Sequence, residues 1–204
     1  MNRAILVNIG KKVDLMSNPL IGIIAEDDSD VDCIKIIVRK LKPSQKIGFK
    51  KFVGNGCGKI SRKANAWALQ FKRLKCNSII LLHDLDRKSL PELREKIDAA
   101  FLPSPIEKYV VSIPIEELEA WLLSDPSAIA ATFDIRKRLN LPNQPETVPS
   151  PKEFLGGFIW RETGKRHTYL NTKHNSKIVE NIDINEIIKK CPSFRDLNDF
   201  IISL

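Results

Sequence analysis

Three groups of carboxylates stand out by position: Glu26 with Asp27, Asp28 and Asp30; Asp84 with Asp86; and Glu116, Glu117 and Glu119. Each follows directly on an apolar run of strand length: IGIIA at 21–25, SIILLH at 78–83 and KYVVSIPI at 108–115. Ligands of an open parallel sheet bind beyond the carboxyl ends of its strands, so neighbouring strands would bring these acids to one rim. Two carboxylates 4 Å apart repel by roughly 4 kcal/mol at an effective dielectric near 20, and a bound cation removes that cost. Oxygen donors of this kind suit Mg²⁺ or Mn²⁺ rather than zinc. Asp84 and Asp86 are two residues apart, so in extended chain both point to the same side. Glu26 and Asp30 span a strand end and a first helical turn, where they can flank a second ion. Two such ions about 3.5–4 Å apart activate water and stabilise the leaving oxygen in phosphodiester cleavage.

Blander roles compete at several positions. Asp27, Asp28 and Asp32 fit better as favourable charges at a helix N-terminus than as catalysts. Ser29 reads as that helix's N-cap, with Asp32 three residues on in the position of a capping box. Glu119 divides evenly between a site role and a solvated helix face. A lone DxD after a strand is common, and the weight rests on its combination with Glu26. GNGCGK at 54–59 matches neither GxxxxGK[ST] nor GxGxxG, which leaves a tight turn as its main role and Lys59 as a candidate phosphate contact. His83, at a strand end, reads as structural.

The elements that must position these acids follow from periodicity. Apolar strand, acidic turn and amphipathic helix recur along the chain, the pattern of βαβ units and of a mostly parallel sheet with helices on both faces. A helix VDCIKIIVRKL follows the first acids, IGFKKFV (47–53) is a further strand, a helix runs from Ile60 to about Lys75, and LPELREKIDAAF is the next helix. EELEAWLLSD reads as a helix that begins at its first acid. Prolines 142, 145, 149 and 151 mark a break. The expected division is an N-terminal extension (1–19), an α/β core (20–140) and a small C-terminal helical extension packed on that core (141–204). Up to Leu15 the chain is hard to place: AILVNI could be an edge strand or part of a loose extension, and Met16 could be the natural start.

Composition narrows the partners. Of 204 residues, 33 are Lys or Arg and 25 are Asp or Glu, and the net charge of +8 favours a polyanion. Arg87, directly after the DxD, is the best-placed cation, and a basic stretch that includes Lys165 and Arg166 is a second candidate for phosphate contacts. Cys33, Cys57, Cys76 and Cys191 show no metal-ligand spacing and read as reduced thiols, with Cys57 apart from the others in a glycine-rich loop. No run approaches the roughly 20 apolar residues needed to span a bilayer, and the N-terminal stretch does not fit a secretory signal, so the cytoplasm is the expected compartment.

IIAEDDSDVDCI, LLHDLDR, VSIPIEELEAWLLSDP and CPSFRDLNDFI together resemble Toprim domains, in particular the OLD (overcoming lysogenization defect) nuclease group and its small stand-alone relatives. The likeness covers most of residues 20–204. It implies a Toprim-like fold and a magnesium-dependent nuclease, in a group associated with phage defence and often paired with an ABC-type ATPase. It assigns the metal to Glu26, Asp30, Asp84, Asp86 and Glu117, maps the last acidic motif onto Glu117 and Glu119 before AWLL, and leaves Glu116 competing with Glu117 for the inward position, with Ser112 as an additional ligand. Asp27 stands where the group usually has glycine. Two rival functions stay open: a nucleic-acid- or partner-binding module without cleavage, and a metal-dependent phosphotransfer enzyme acting on a small phosphorylated substrate. A flavodoxin-like or receiver-type fold is the alternative architecture, with the DxD and the third acidic group against it.

Overall fold

A computed structural model describes residues 18–54 and 57–204. The readings made for the N-terminal extension through Leu15, for Met16 and for the Cys57 side chain lie outside the described residues.

Four strands, β1 (Leu20–Ala25), β2 (Gly48–Val53), β3 (Ser78–Leu82) and β4 (Tyr109–Ser112), form one sheet in the order β2-β1-β3-β4. All three pairings are parallel, with Ile23 opposite Ile80 and Ile80 opposite Val110. The three acid-bearing strands are therefore consecutive neighbours. Their apolar runs are continuous because both faces are covered. Ile21, Ile23, Ile80 and Val110 enter one buried cluster, and Ile24, Ile79, Leu81 and Val111 the other.

Helices α2 (Cys57–Arg73) and α3 (Leu90–Phe101) cover the second face through Ile60, Phe71, Leu93 and Ile97. Gly22 is required there, because a Cβ on it would fall 2.5 Å from the Phe71 ring. The first face carries α1 (Asp28–Leu41) together with the C-terminal helices α6 (Pro151–Glu162), α7 (Asn171–Asn181), α8 (Ile184–Lys190) and α9 (Arg195–Ser203). The short helices α4 (Glu119–Leu122) and α5 (Pro126–Thr132) join this first face, through Trp121, Leu122, Ala128 and Ile129. Leu155, Ile178, Phe194 and Ile201 join Ile21 and Ile34 in a single cluster, so the C-terminal helices cover a sheet face that would otherwise be exposed. Each fully buried Ile or Leu of this kind stabilises by about 1.5–3 kcal/mol relative to exposure.

Local boundaries differ from the sequence reading in three places. The cap of α1 is Asp27, not Ser29, and its capping-box partner is Asp30, not Asp32. The helix after β4 begins at Glu119 rather than Glu116, because Glu116 has φ +62 and cannot continue a right-handed helix. Helix α2 starts at Cys57, within the segment read as a turn. Among the described residues no helix is long and apolar enough to cross a membrane.

Candidate functional site

The site is built from the chain that leaves β1, β3 and β4. Directly after β1, Glu26 places Oε1 3.1 Å from Nδ1 of His83. That nitrogen also lies 2.7 Å from the carbonyl oxygen of Asp84, and Glu26 Oε1 is buried without a hydrogen-bond partner. Burial, followed by the charge of Asp86, raises the Glu26 carboxyl from 4.5 to about 7. His83 is 2% exposed, and burial lowers its pKa below the ordinary histidine range.

Asp27 and Asp30 lock the start of α1. Asp27 Oδ1 accepts from the N–H groups of Ser29 and Asp30 at 2.8 and 3.1 Å, and Asp30 Oδ2 accepts from the N–H of Asp27 at 3.2 Å. Asp30 is 7% exposed, and burial with the nearby Asp27 charge raises it from 3.8 to about 8, helped by Glu119 and Glu26. Asp28 and Asp32 pair with Lys51 and Lys35, in keeping with solvated roles.

After β3, Asp84 turns inward. Its Oδ1 accepts from the N–H of Leu118 at 3.1 Å, which ties the second acidic loop to the third. Burial raises the Asp84 carboxyl well above the ordinary range, reinforced by Asp30, Glu119, Glu26 and Asp86. Asp86 is not held by continued strand alternation: β3 ends at Leu82, and both Asp86 and Arg87 have left-handed backbones (φ +50 and +59). Its carboxylate pairs with Lys88 at 3.0 Å. The N–H of Asp86 donates to the carbonyl of Glu116 at 3.0 Å, so left-handed residues on two loops brace each other. Such conformations cost on the order of 1–3 kcal/mol each away from glycine, and persist where surrounding structure holds them.

The third loop differs most from expectation. Glu117 Oε2 accepts from the N–H of Lys152 at 2.9 Å, in the first turn of α6, and burial raises its pKa. The inward carboxylate is Glu119, 4% exposed, accepting at Oε1 from Tyr169 Oη at 2.9 Å and Asn175 Nδ2 at 3.1 Å. Tyr169 is held protonated, because burial and the Glu119 charge push its pKa above the ordinary phenol range. The signal for Glu119 was its place after Glu117 in the last acidic motif, directly before AWLL; Leu118, Ala120, Trp121 and Leu122 are all buried around it. Nothing in the polar run NTKHNSK marked Asn175.

The expected cations divide. Arg87 Nη2 donates to Ser150 Oγ at the N-cap of α6, so it ties the loop after β3 to the start of α6 beside the acids. Lys59 is exposed in the first turn of α2. Lys165 and Arg166 follow the C-terminal end of α6, with Arg166 Nε donating to Thr163 O at 2.9 Å. Glu117 is fixed to the opposite end of that helix, whose 12 residues span about 18 Å. Ser112 Oγ is buried without a partner at the end of β4.

The donors fit a hard divalent cation in chemistry: all are carboxylate oxygens, one of them, Glu26 Oε1, buried without a partner. Among the described residues no three His, Cys, Asp or Glu side chains already enclose a metal-sized point. The carboxylates that act on one another at this rim are Glu26, Asp84 and Asp86, with Asp30 and Glu119 also acting on Asp84; Glu116 and Glu117 stand on the third loop beside them.

No curated protein and no solved structure matches this chain. Residues 25–201 match the family described as "Domain of unknown function (DUF4276)", a span that runs from the last residue of β1 into α9 and so includes every acid of the site. The chain is a member of that DUF4276 family.

Proposed function

We propose that this protein is a divalent-metal-dependent nuclease of the Toprim type, cutting phosphodiester bonds of nucleic acid. The observation that carries the reading is electrostatic. Glu26, Asp30 and Asp84 come from two neighbouring strand ends, all have raised pKa values, and each is raised in part by other carboxylates of the group. A fold gains nothing from holding such a group uncompensated, whereas a cation turns the mutual repulsion into attraction.

In this reading Glu26, Asp84 and Asp86 hold Mg²⁺ or Mn²⁺. When bound, the ion supplies activation of water and charge neutralisation at the leaving oxygen. Asp30 and Glu119 fix the inner wall, Asp30 through the α1 capping box and Glu119 through Tyr169 and Asn175. Glu26 Oε1, buried and without a hydrogen-bond partner, is the oxygen left over to face the ion. The net charge of +8 favours a polyanionic substrate. A role in phage defence and an ABC-type ATPase partner belong to the same proposal and rest on the family resemblance alone.

A second reading, a binding module without cleavage, draws on the engagement of Asp30, Glu117 and Glu119 in bonds that also serve the fold. The deciding experiment incubates wild type and Asp84→Ala with plasmid, single-stranded DNA and tRNA in Mg²⁺, Mn²⁺ or EDTA. Cleavage by wild type that needs metal and is lost in the variant supports the nuclease. Cleavage that persists in EDTA or in the variant overturns the mechanism, and salt-sensitive binding without any cleavage favours the second reading.

A further inference from the structure

A groove of about 850 Å³ is walled by α5 and the irregular segment 135–143, and its charged residues, Arg136, Lys137, Arg138 and Lys190, are all basic. We infer that this groove holds a single-stranded nucleic acid by its sugar–phosphate backbone. The inference deepens the nuclease reading by naming its substrate class, and it rests on that reading for the strand's being a substrate; the binding stands on the groove itself.

Charge favours a polyanion. Among the described residues no acid lines the groove. Lys137 pairs with Glu162 and Lys190 with Glu186, each at 2.6 Å, so these two cations are partly neutralised. Arg136 and Arg138 are exposed, and among the described residues neither guanidinium has an ion pair or a hydrogen bond. A guanidinium presents its N–H donors in a planar fork that matches phosphate bidentately, and its flat face stacks on a base. The adjoining cavity shares Arg136 and Lys137 but carries Asp134 and Glu162, so the unopposed positive charge is concentrated in the groove.

Shape favours a single strand. Leu123, Ile135, Leu139 and Leu141 give the groove apolar surface among its cations. A single strand alternates phosphate with sugar and unpaired base, and can set both against such a lining. A duplex keeps its bases stacked inside, and a lipid surface is too flat to enter a groove. Among the described residues no aromatic side chain lines it, so phosphate contacts rather than ring stacking must carry the affinity, with steep salt dependence and little sequence preference. The groove is also joined to the acids. Helix α4 is a single turn with Glu119 at its start, and the N–H of Leu123, a groove residue, donates to the carbonyl oxygen of Glu119 at 3.1 Å. One wall of the groove thus begins about one helical turn, about 6 Å of rise, from the inner carboxylate.

The test is binding in EDTA, where no cutting occurs. A short fluorescent single strand, its duplex and phosphatidylserine vesicles are titrated over a range of salt with wild type, Arg136→Ala with Arg138→Ala, and Arg136→Glu with Arg138→Glu. A control, Lys46→Glu with Lys108→Glu, makes the same change in net charge at exposed lysines just before β2 and β4, on the opposite rim of the sheet. Wild type is expected to prefer the single strand. The double alanine variant should bind it at least about tenfold more weakly, the scale of one or two charge-assisted hydrogen bonds. Its slope of log K against log salt should be shallower by about 1.4, at about 0.7 per phosphate contact. The double glutamate variant should lose binding altogether, while the control keeps most of it. An equal loss in the control, duplex bound as tightly as single strand, or binding to vesicles alone overturns the inference. If wild type binds single strands through the groove but cuts nothing in Mg²⁺, the nuclease reading fails and the groove stands. If Mg²⁺-dependent cleavage survives Arg136→Glu with Arg138→Glu at the wild-type kcat/KM, the groove fails and the nuclease stands.

Discussion

Glu26 Oε1 and His83 Nδ1 lie 3.1 Å apart, yet the histidine proton points to the carbonyl oxygen of Asp84, which leaves the carboxylate oxygen buried and unpaired. The same surroundings lift Glu26 from 4.5 to about 7, chiefly by burial and then by Asp86, and lift Asp30 from 3.8 to about 8, chiefly by burial and then by Asp27. Between the unfolded and folded values the native state holds protons that the unfolded chain releases. Stability from these groups is therefore complete below about pH 4 and is lost as pH rises toward 8, a tenfold difference in proton affinity being worth about 1.4 kcal/mol. In EDTA the melting temperature should fall from pH 5 to pH 8. Glu26→Gln should flatten that fall, and millimolar Mg²⁺ should offset it at pH 8. A melting temperature that is flat or climbs over this range in EDTA contradicts the account.

Asp84 gives the opposite pairing of stability and function. Its Oδ1 accepts from the N–H of Leu118, a bond that an asparagine oxygen can keep, while its charge is opposed by burial and by Asp30, Glu119, Glu26 and Asp86. Asp84→Asn is expected to stabilise the metal-free protein, because the amide keeps the bond to Leu118 and removes a charge that burial and four carboxylates oppose. It should also lose the further stabilisation that Mg²⁺ gives wild type by mass action. Urea denaturation with and without Mg²⁺ checks both. A variant less stable than wild type in EDTA would mean that the Asp84 charge helps to hold the fold.

The close contact of Gly22 with Phe71 gives a prediction confined to the fold. A methyl group on Gly22 would stand 2.5–2.7 Å from three ring carbons of Phe71, between a central strand and α2, where neither has room to retreat. Gly22→Ala should cost about 1–3 kcal/mol through overpacking. Phe71→Leu should restore part of that loss, and a double-mutant cycle by urea denaturation measures the coupling. Additive losses in the double variant would show that the two side chains do not compete for the same space.

Much of this arrangement was legible in the sequence because strand and acid were contiguous. Ala25–Glu26 and His83–Asp84 needed only the rule that a parallel sheet presents its carboxyl ends, and the order β2-β1-β3-β4 supplied the adjacency. The third loop was not legible in the same way. Its geometry depends on Glu116 adopting φ +62, on Lys152 offering an N–H to Glu117, and on Tyr169 and Asn175 reaching Glu119 from 50 and 56 residues away. No local period encodes those contacts. The cap of α1 shifted from Ser29 to Asp27 for a local reason: an aspartate two residues earlier reaches the N–H groups of both Ser29 and Asp30 and so starts the helix sooner.

Glu117 and Glu119 can be separated by experiment because they are held so differently. Glu117 is partly buried and spends one oxygen on the N–H of Lys152, a bond that glutamine can also accept through its side-chain carbonyl. Glu119 is 4% exposed and faces two donors, Tyr169 Oη and Asn175 Nδ2, on the same oxygen. Its charge also reaches both Asp30 and Asp84, whereas the Glu117 charge does not figure among the causes that raise either. If the ion is held by the Glu26–Asp84–Asp86 group with Glu119 behind it, Glu119→Gln should weaken Mg²⁺ binding by about tenfold or more, the scale seen when groups supporting a metal's ligands are changed. Glu117→Gln should leave Mg²⁺ affinity within about threefold of wild type and act on the α6 contact, with a loss of about 1 kcal/mol or less. Calorimetric titration of each variant with Mg²⁺, beside urea denaturation in EDTA, gives both quantities. The reverse order, with Glu117→Gln the more damaging to metal binding, would mean that Glu117 leaves Lys152 and turns inward when the ion binds.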